Sequence, residues 1–439
     1  MMRRQSVALM LGTLGFLAAA AFGISSLAAQ QSRPARAARP AASPKPFSSV
    51  NLLRAFRGNH EESRHRALDD IQRFHLHENG VAPALWQAIE PSLNVKEAPD
   101  SLLRALRLYG LLDDDDGARR LLSLLSAADP RLVLMAIAIL ADQRPAAALE
   151  RLTGLKEHPA YNTHYGLRHA VVSAVAKFDE PASVEFLISA IASLDGQLKY
   201  VAARQLSRLT GQHFGGKSGE WRQWWEQNRT GFRVAGASAA ATSNLPVVVT
   251  KPPADLMPWD YDVPQFFGTP IFAKRVVFVI DKSKSMLSSV DGVTRLDDAE
   301  KQLEAAIRGL PDDAWFDIIA YNDFEQVYRG RLAQATPGEK SGAAQFLYSL
   351  VAEGQTDIYD TLSDALQVDP NLEAILFLSD GDPNVGTVID RSTIIQRITQ
   401  QNASRRISIN TIGIDARDAS EEFLKQLAAV NFGEFRSSR

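Results

Sequence analysis

Between residues 269 and 439, short apolar runs alternate with stretches of helical period, and this alternation limits the fold more than any other feature. The runs Arg275 to Ile280 (RVVFVI) and Ala374 to Leu378 (AILFL) are continuous in apolar character. That is the pattern of a strand buried on both faces. Trp315 to Tyr321 and Ile407 to Ile414 read as further strands, and Gln326 to Arg329 as a short edge strand. Leu296 to Leu310, Gly342 to Val351, Ile358 to Leu366, Thr393 to Gln401 and Glu421 to Val430 read as helices. Strands alternating with helices predict a doubly wound α/β sheet. In such sheets a ligand sits outside the carboxyl ends of the central strands.

Those carboxyl ends are rich in oxygen. The first buried run ends in Asp281-Lys282-Ser283-Lys284-Ser285, a D-x-S-x-S loop, and the AILFL run ends in Ser379-Asp380-Gly381. Gly354-Gln355-Thr356-Asp357 stands between them, just before a helix. The topology brings the three segments to one edge of the sheet. Two carboxylates (Asp281, Asp380) and three hydroxyls (Ser283, Ser285, Thr356) make a hard oxygen set. It suits Mg²⁺ or Mn²⁺, with Ca²⁺ as an alternative, and suits zinc or copper poorly. A D-x-S-x-S loop alone is weak evidence, because its serines can simply cap a helix. Lys282 and Lys284 add positive charge, either drawing an acidic partner or standing in for part of the metal's charge. Asp382 either tunes the site or is an ordinary loop carboxylate.

Asp281, Ser283, Ser285, Thr356 and Asp380 match, in order, the five positions of a metal-ion-dependent adhesion site. From about residue 270 to 439 the chain therefore resembles a von Willebrand factor type A (VWA) domain. The resemblance implies that the serines and the threonine ligate the ion directly, and that the aspartates act directly or through water. It also implies an open coordination position for an Asp or Glu of a partner protein. Neutral hydroxyls leave a dication under-neutralised, so the ion still attracts an outside carboxylate.

Upstream the pattern is helical. Leu102 to Leu106, Leu132 to Ala136, Leu167 to Val171 and Leu198 to Leu206 open amphipathic runs, and shorter helices such as Val184 to Ala192 follow them. Paired helices at a period of roughly 30–35 residues point to an α-solenoid, and the pattern resembles HEAT-like repeats over residues 49–230. The expected class is thus α + α/β multidomain: an N-terminal α-solenoid and a C-terminal Rossmann-like sheet over 269–439. Residues 29–48 and the Ala/Pro-rich 231–268 read as linkers. Arg3 and Arg4 precede an uncharged stretch, Ser6 to Ala29, with small residues at Ser26 and Ala28. Residues 1–28 therefore read as a signal peptide or a retained single anchor. The expected destination is export, to the periplasm or cell envelope or into the medium.

Composition removes several alternatives. With no Cys there are no disulfides, thiolate zinc sites or cysteine nucleophiles. Lys+Arg number 48 against 51 Asp+Glu, so no basic excess favours nucleic acid. Gly211 to Ser218 fits the phosphate-loop spacing G-x-x-x-x-G-K-S but follows a helical run, where that loop needs a strand. A haloacid-dehalogenase-type nucleophile at Asp281 would want a second Asp where Ser283 stands. His60, His65, His75 and His77 lie in or beside amphipathic helices and read as surface or core residues. Asp113 to Asp116 reads as a solvated turn. The expectation is a non-enzymatic, exported, metal-dependent adhesion protein with an acidic protein partner. The alternative is a scaffold whose helical repeats bind the partner while the metal site is only structural. A metal-dependent hydrolase ranks third for want of a general base. Oligomeric state is left open.

Overall fold

The computed structural model describes residues 46–233, 258, 259 and 261–438. The expected leader, most of the first linker and most of the second lie outside the described residues. Among these, eleven α-helices run from α1 (Ser49–Arg57) to α11 (Ser218–Asn228). Their ends follow local chemistry. Helix α6 (Pro130–Gln143) starts where the Asp129 carboxylate accepts the Arg131 N–H at 2.8 Å and Pro130 fills the first turn. Its Leu132, Ala136, Ile137 and Leu140 are buried in the helical core. Helix α10 (Gly196–Thr210) stops at Gly211, whose φ of 73° a side chain would resist. No helix among the described residues is long and apolar enough to cross a membrane.

The C-terminal region is built on one mixed sheet. Its strands are β3 (Arg275–Asp281), β6 (Trp315–Tyr321), β7 (Glu325–Val327), β8 (Ala333–Gln334), β9 (Ala374–Ser379), β10 (Ser408–Ile414) and β11 (Phe435–Ser438). They lie in the order β11-β10-β9-β3-β6-β7, with β8 also on β6. The four pairings that join β11, β10, β9, β3 and β6 are parallel, while β7 and β8 meet β6 antiparallel. The sheet is therefore mixed, with the doubly wound core the sequence pattern predicts and the edge strand read at Gln326 to Arg329 present as β7. The short antiparallel pieces fold back on β6, and β11 adds an edge the pattern does not reveal.

Pleating sorts the apolar residues of β3 onto two faces. Val276, Phe278 and Ile280 pack with Leu296, Leu303 and Ile307 of α12 (Arg295–Gly309) and Leu347 of α13 (Pro337–Leu347). Val277 and Val279 pack with residues of α14 (Ile358–Ala365), α15 (Arg391–Asn402) and α16 (Asp418–Val430) on the other face. Both faces are covered, which is why no polar residue stands between Arg275 and Asp281. Within the expected second linker, Gln265–Phe266 (β1) pairs with Thr269–Pro270 (β2), and Phe266 is buried in the first face's core.

The described residues from Phe47 onward form one compact unit. The helices meet the sheet at the amino ends of its strands. The Gln197 N–H donates to Glu373 Oε2 at 2.9 Å, and Gln197 Nε2 to Ser408 Oγ at 3.2 Å. Tyr200 OH donates to Glu434 Oε1 at 3.2 Å and its ring stacks on Phe272, centroids 4.1 Å apart. Arg406 Nε donates to His169 Nδ1 at 3.1 Å. Glu373, Ser408 and Glu434 open β9, β10 and β11. The opposite end of the sheet, where Asp281 and Asp380 stand, is left to its own loops.

Candidate metal centre

Strands β3 and β9 are neighbours, with Ile280 beside Leu378, but the chain leaves them in opposite directions. One connection runs to β6 and the other to β10, so a crevice opens at their carboxyl ends. Asp281 is the last residue of β3, and Asp380 directly follows β9.

Four of the five expected residues form one hydrogen-bonded chain there. Asp281 Oδ1 accepts the Ser283 N–H at 2.8 Å, which bends the D-x-S-x-S loop over the strand end. Ser283 Oγ lies 2.9 Å from Ser285 Oγ, and Ser285 Oγ donates to Asp380 Oδ1 at 2.8 Å. Thr356 stands on the adjoining loop. Lys284 N–H donates to Gly354 O at 3.1 Å and Glu353 N–H to Lys282 O at 2.9 Å, tying that loop to the serines. On its other side, the Thr356 N–H donates to Asn384 Oδ1 at 2.9 Å, in the loop after β9. Gly354 has a φ of 74°, and a Cβ there would come 2.8 Å from Asp323 Oδ2. The β6–β7 turn sits too close for any other residue.

Asp281 is fully buried, and its second oxygen accepts from Ser379 Oγ at 2.9 Å and Tyr321 OH at 3.3 Å. Both oxygens thus have protein donors, and Oδ1 keeps one acceptor site beyond the Ser283 N–H. Burial first, and the charge of Asp380 second, push its carboxyl up to about 6, against the pull of the Ser283 and Ser379 hydrogen bonds. Ser283 and Thr356 are buried while Ser285, Lys284, Gly354 and Gln355 are exposed, so the centre has a closed floor and an open rim.

The donor set fits a small hard cation. Metal–oxygen bonds of about 2.0–2.1 Å in an octahedron put neighbouring oxygens about 2.9 Å apart. The Ser283–Ser285 and Ser285–Asp380 oxygen pairs already have that spacing. Ser283, Ser285 and Thr356 offer neutral oxygens, and Asp281 and Asp380 offer charge.

One residue of the site escapes sequence reasoning. Arg295, at the start of α12, brings Nη1 within 2.5 Å of Asp380 Oδ2 and Nε within 3.1 Å of Asp415 Oδ2. A charged residue at a helix start reads as a surface residue, and 85 positions separate it from Asp380. Lys282 and Lys284, the cations the sequence singles out, form no ion pair among the described residues. Asp382 pairs instead with Arg391 and Ser420.

The other candidates take structural roles. Residues 211–217 follow helix α10, and the Gly215 carbonyl accepts from Trp221 Nε1 at 2.9 Å inside the helical core. Asp114 pairs with Arg120 and Tyr109, and Asp116 with Arg119. No group of three or more His, Cys, Asp or Glu among the described residues could hold a metal, so the histidines near residue 70 are not gathered into one.

Fold and site together define an open α/β domain with a D-x-S-x-S oxygen cluster at its switch point. Residues 274–436 match the family model described as von Willebrand factor type A domain, and the C-terminal region is such a domain. VWA domains commonly bind a divalent cation. Its homology reaches the inter-alpha-trypsin inhibitor heavy chains. Human heavy chain H6 is 29% identical over 180 residues, covering 38% of this chain and 13% of that protein. Human heavy chain H4 is 32% identical over 180 residues, covering 38% and 18%. The matched region is therefore less than a fifth of those relatives' length. Among solved structures, a von Willebrand factor type A protein from Catenulispora acidiphila is 22% identical, covers 39% of this chain and 40% of that one, and has a TM-score of 0.33.

Proposed function

We propose that this chain is a metal-dependent binding protein whose VWA domain captures a carboxylate of a partner protein. Ser283, Ser285 and Thr356 would hold Mg²⁺ or Mn²⁺ directly, with Asp281 and Asp380 supplying charge, so that all five positions of the adhesion site are used. The bound ion would supply an electrophilic position for an outside carboxylate. The chain's own part is to keep that position open: Asp281 is tied to protein donors, the hydroxyls are neutral, and the rim at Ser285 and Gln355 is exposed. The observation that carries the reading is the convergence of Asp281, Ser283, Ser285 and Asp380 in one hydrogen-bonded cluster at the carboxyl ends of β3 and β9, with Thr356 on the loop tied to it.

The helical region is proposed as a HEAT-like stack that carries the domain. Its docking at the amino ends of the strands supports this, since partner access to the metal edge stays free. Nothing in the site's oxygen set requires turnover, so capture rather than catalysis is the reading. The leader-like residues 1–28 support export to the cell envelope or beyond.

The test is retention of acidic peptides on the immobilised full chain. Peptides bearing Asp or Glu should be held in Mg²⁺, released by EDTA, and not held by Asp281→Ala. Retention that ignores EDTA would instead favour binding by the helices, with the metal site structural.

A further inference from the structure

Asp380 is the carboxylate nearest the rim serine, and both its oxygens are engaged by its own chain. Oδ1 accepts from Ser285, and Oδ2 meets the Arg295 guanidinium at 2.5 Å. The Asp380 side chain is wholly buried, while that of Arg295 is 23% exposed. The placement of Arg295 is built in. Thr294 and Asp297 close a capping box around the start of α12, and the Arg295 N–H donates to Ser288 O at 2.9 Å, just past the D-x-S-x-S loop. Asp415, following β10, grips Nε from the far side.

We propose that Arg295 is a built-in counter-cation of the metal centre. In the metal-free chain it neutralises Asp380, and against an entering dication it competes for that same carboxylate. The inference rests on the metal reading of the site given above. Two charge-assisted hydrogen bonds hold the guanidinium in place, and a like charge so near a dication weakens its binding. The consequence is a centre that fills and empties with the surrounding divalent-cation concentration. Adhesion would then follow ambient metal, because a permanently loaded site would need Asp380 free of a fixed cation. A residue that merely oriented Asp380 would act in the opposite sense, its loss weakening the metal.

The experiment measures Mn²⁺ affinity of the full chain by electron paramagnetic resonance of free Mn²⁺, with the thermal midpoint recorded in chelator. Arg295→Gln should bind Mn²⁺ at least tenfold more tightly than the native chain, and its chelated midpoint should fall because Asp380 is left buried and unpaired. Arg295→Lys, which keeps the charge, should stay near native in both. Asp415→Asn, which frees one side of the guanidinium, should tighten Mn²⁺ by a smaller factor and provides the reading if Arg295→Gln does not fold. Binding by Arg295→Gln where the native chain shows none would also support the proposal. Native binding with equal or weaker binding in Arg295→Gln and Asp415→Asn overturns it and leaves the metal site standing. If neither the native chain nor folded variants bind Mn²⁺, the metal reading itself fails, and the proposal with it.

Discussion

The Gln197 backbone N–H donates to the Glu373 carboxylate at 2.9 Å, joining the start of helix α10 to the start of strand β9. The Lys274 N–H donates to the same oxygen, Oε2, at 3.1 Å, so one buried carboxylate links the helical region to two central strands. Burial pushes the Glu373 carboxyl up to about 7, with Asp195 adding to the rise and the two N–H donors and Arg168 opposing it. The folded state therefore holds a proton that the unfolded chain, with an ordinary value of 4.5, releases. Stability from this group is present below about pH 4.5 and is lost as pH rises through about 7. Glu373→Gln keeps an acceptor for both N–H groups and cannot ionise. It should raise stability at pH 8 by on the order of 3 kcal/mol and flatten the decline between pH 5 and 8. Urea unfolding at several pH values checks this. An unchanged slope would show that Glu373 does not titrate there.

Asp281→Asn tests whether the buried carboxylate is kept for its charge. Its folded value of about 6 lies above the unfolded 3.8, so its ionisation costs stability that builds from about pH 4 to 6 and is nearly complete at pH 7. The amide variant should unfold at the same or a higher temperature in chelator while losing its Mg²⁺-dependent rise in midpoint. Scanning calorimetry with and without Mg²⁺ measures both. A large drop in the chelated midpoint would mean the carboxylate serves the fold.

Gly354→Ala places a Cβ 2.8 Å from Asp323 Oδ2 and 3.0 Å from Asn322 Nδ2, on a backbone at φ 74°. The strain, about 1–3 kcal/mol, falls on the loop that carries Thr356. Mn²⁺ affinity should drop several-fold while the unfolding midpoint shifts little. Native affinity in this variant would detach Thr356 from the centre.

At Gly166 a Cβ would sit 2.1 Å from the Ser404 carbonyl oxygen, a backbone atom that cannot step aside. Gly166→Val should therefore part the helices from the sheet edge. Limited proteolysis should cut faster near residue 404 in the variant, with metal affinity unchanged. Equal cleavage would contradict the contact.

The core strands were legible because burial on both faces demands a run such as VVFVI, Val276 to Ile280, which has no polar position to hide. Thr356 was legible from its place between two strand ends. Strand β11, Phe435–Ser438, was not, because a four-residue edge strand with Arg436 and two serines carries no periodic signal. Arg295 was hidden for a different reason. A charged residue at a helix start is ordinary, and only the crossing of α12 over the loop turns it toward Asp380. The docking of the two regions was equally silent, since Gly166, Gln197 and Glu373 have the composition of exposed positions. The edge strand read at Gln326 to Arg329 is β7, Glu325–Val327, entered through the turn at Asn322, whose Oδ1 accepts the Phe324 N–H at 2.9 Å, whereas the two-residue β8, Ala333–Gln334, carries no hydropathy signal.

Calorimetric titration of the full chain with Mn²⁺, native against Asp380→Ala, tests the metal centre most directly. Saturable binding at one site is expected in the native chain and none in the variant, with both folded. Equal binding in the two, or no binding in either the native chain or Arg295→Gln, would contradict the metal centre.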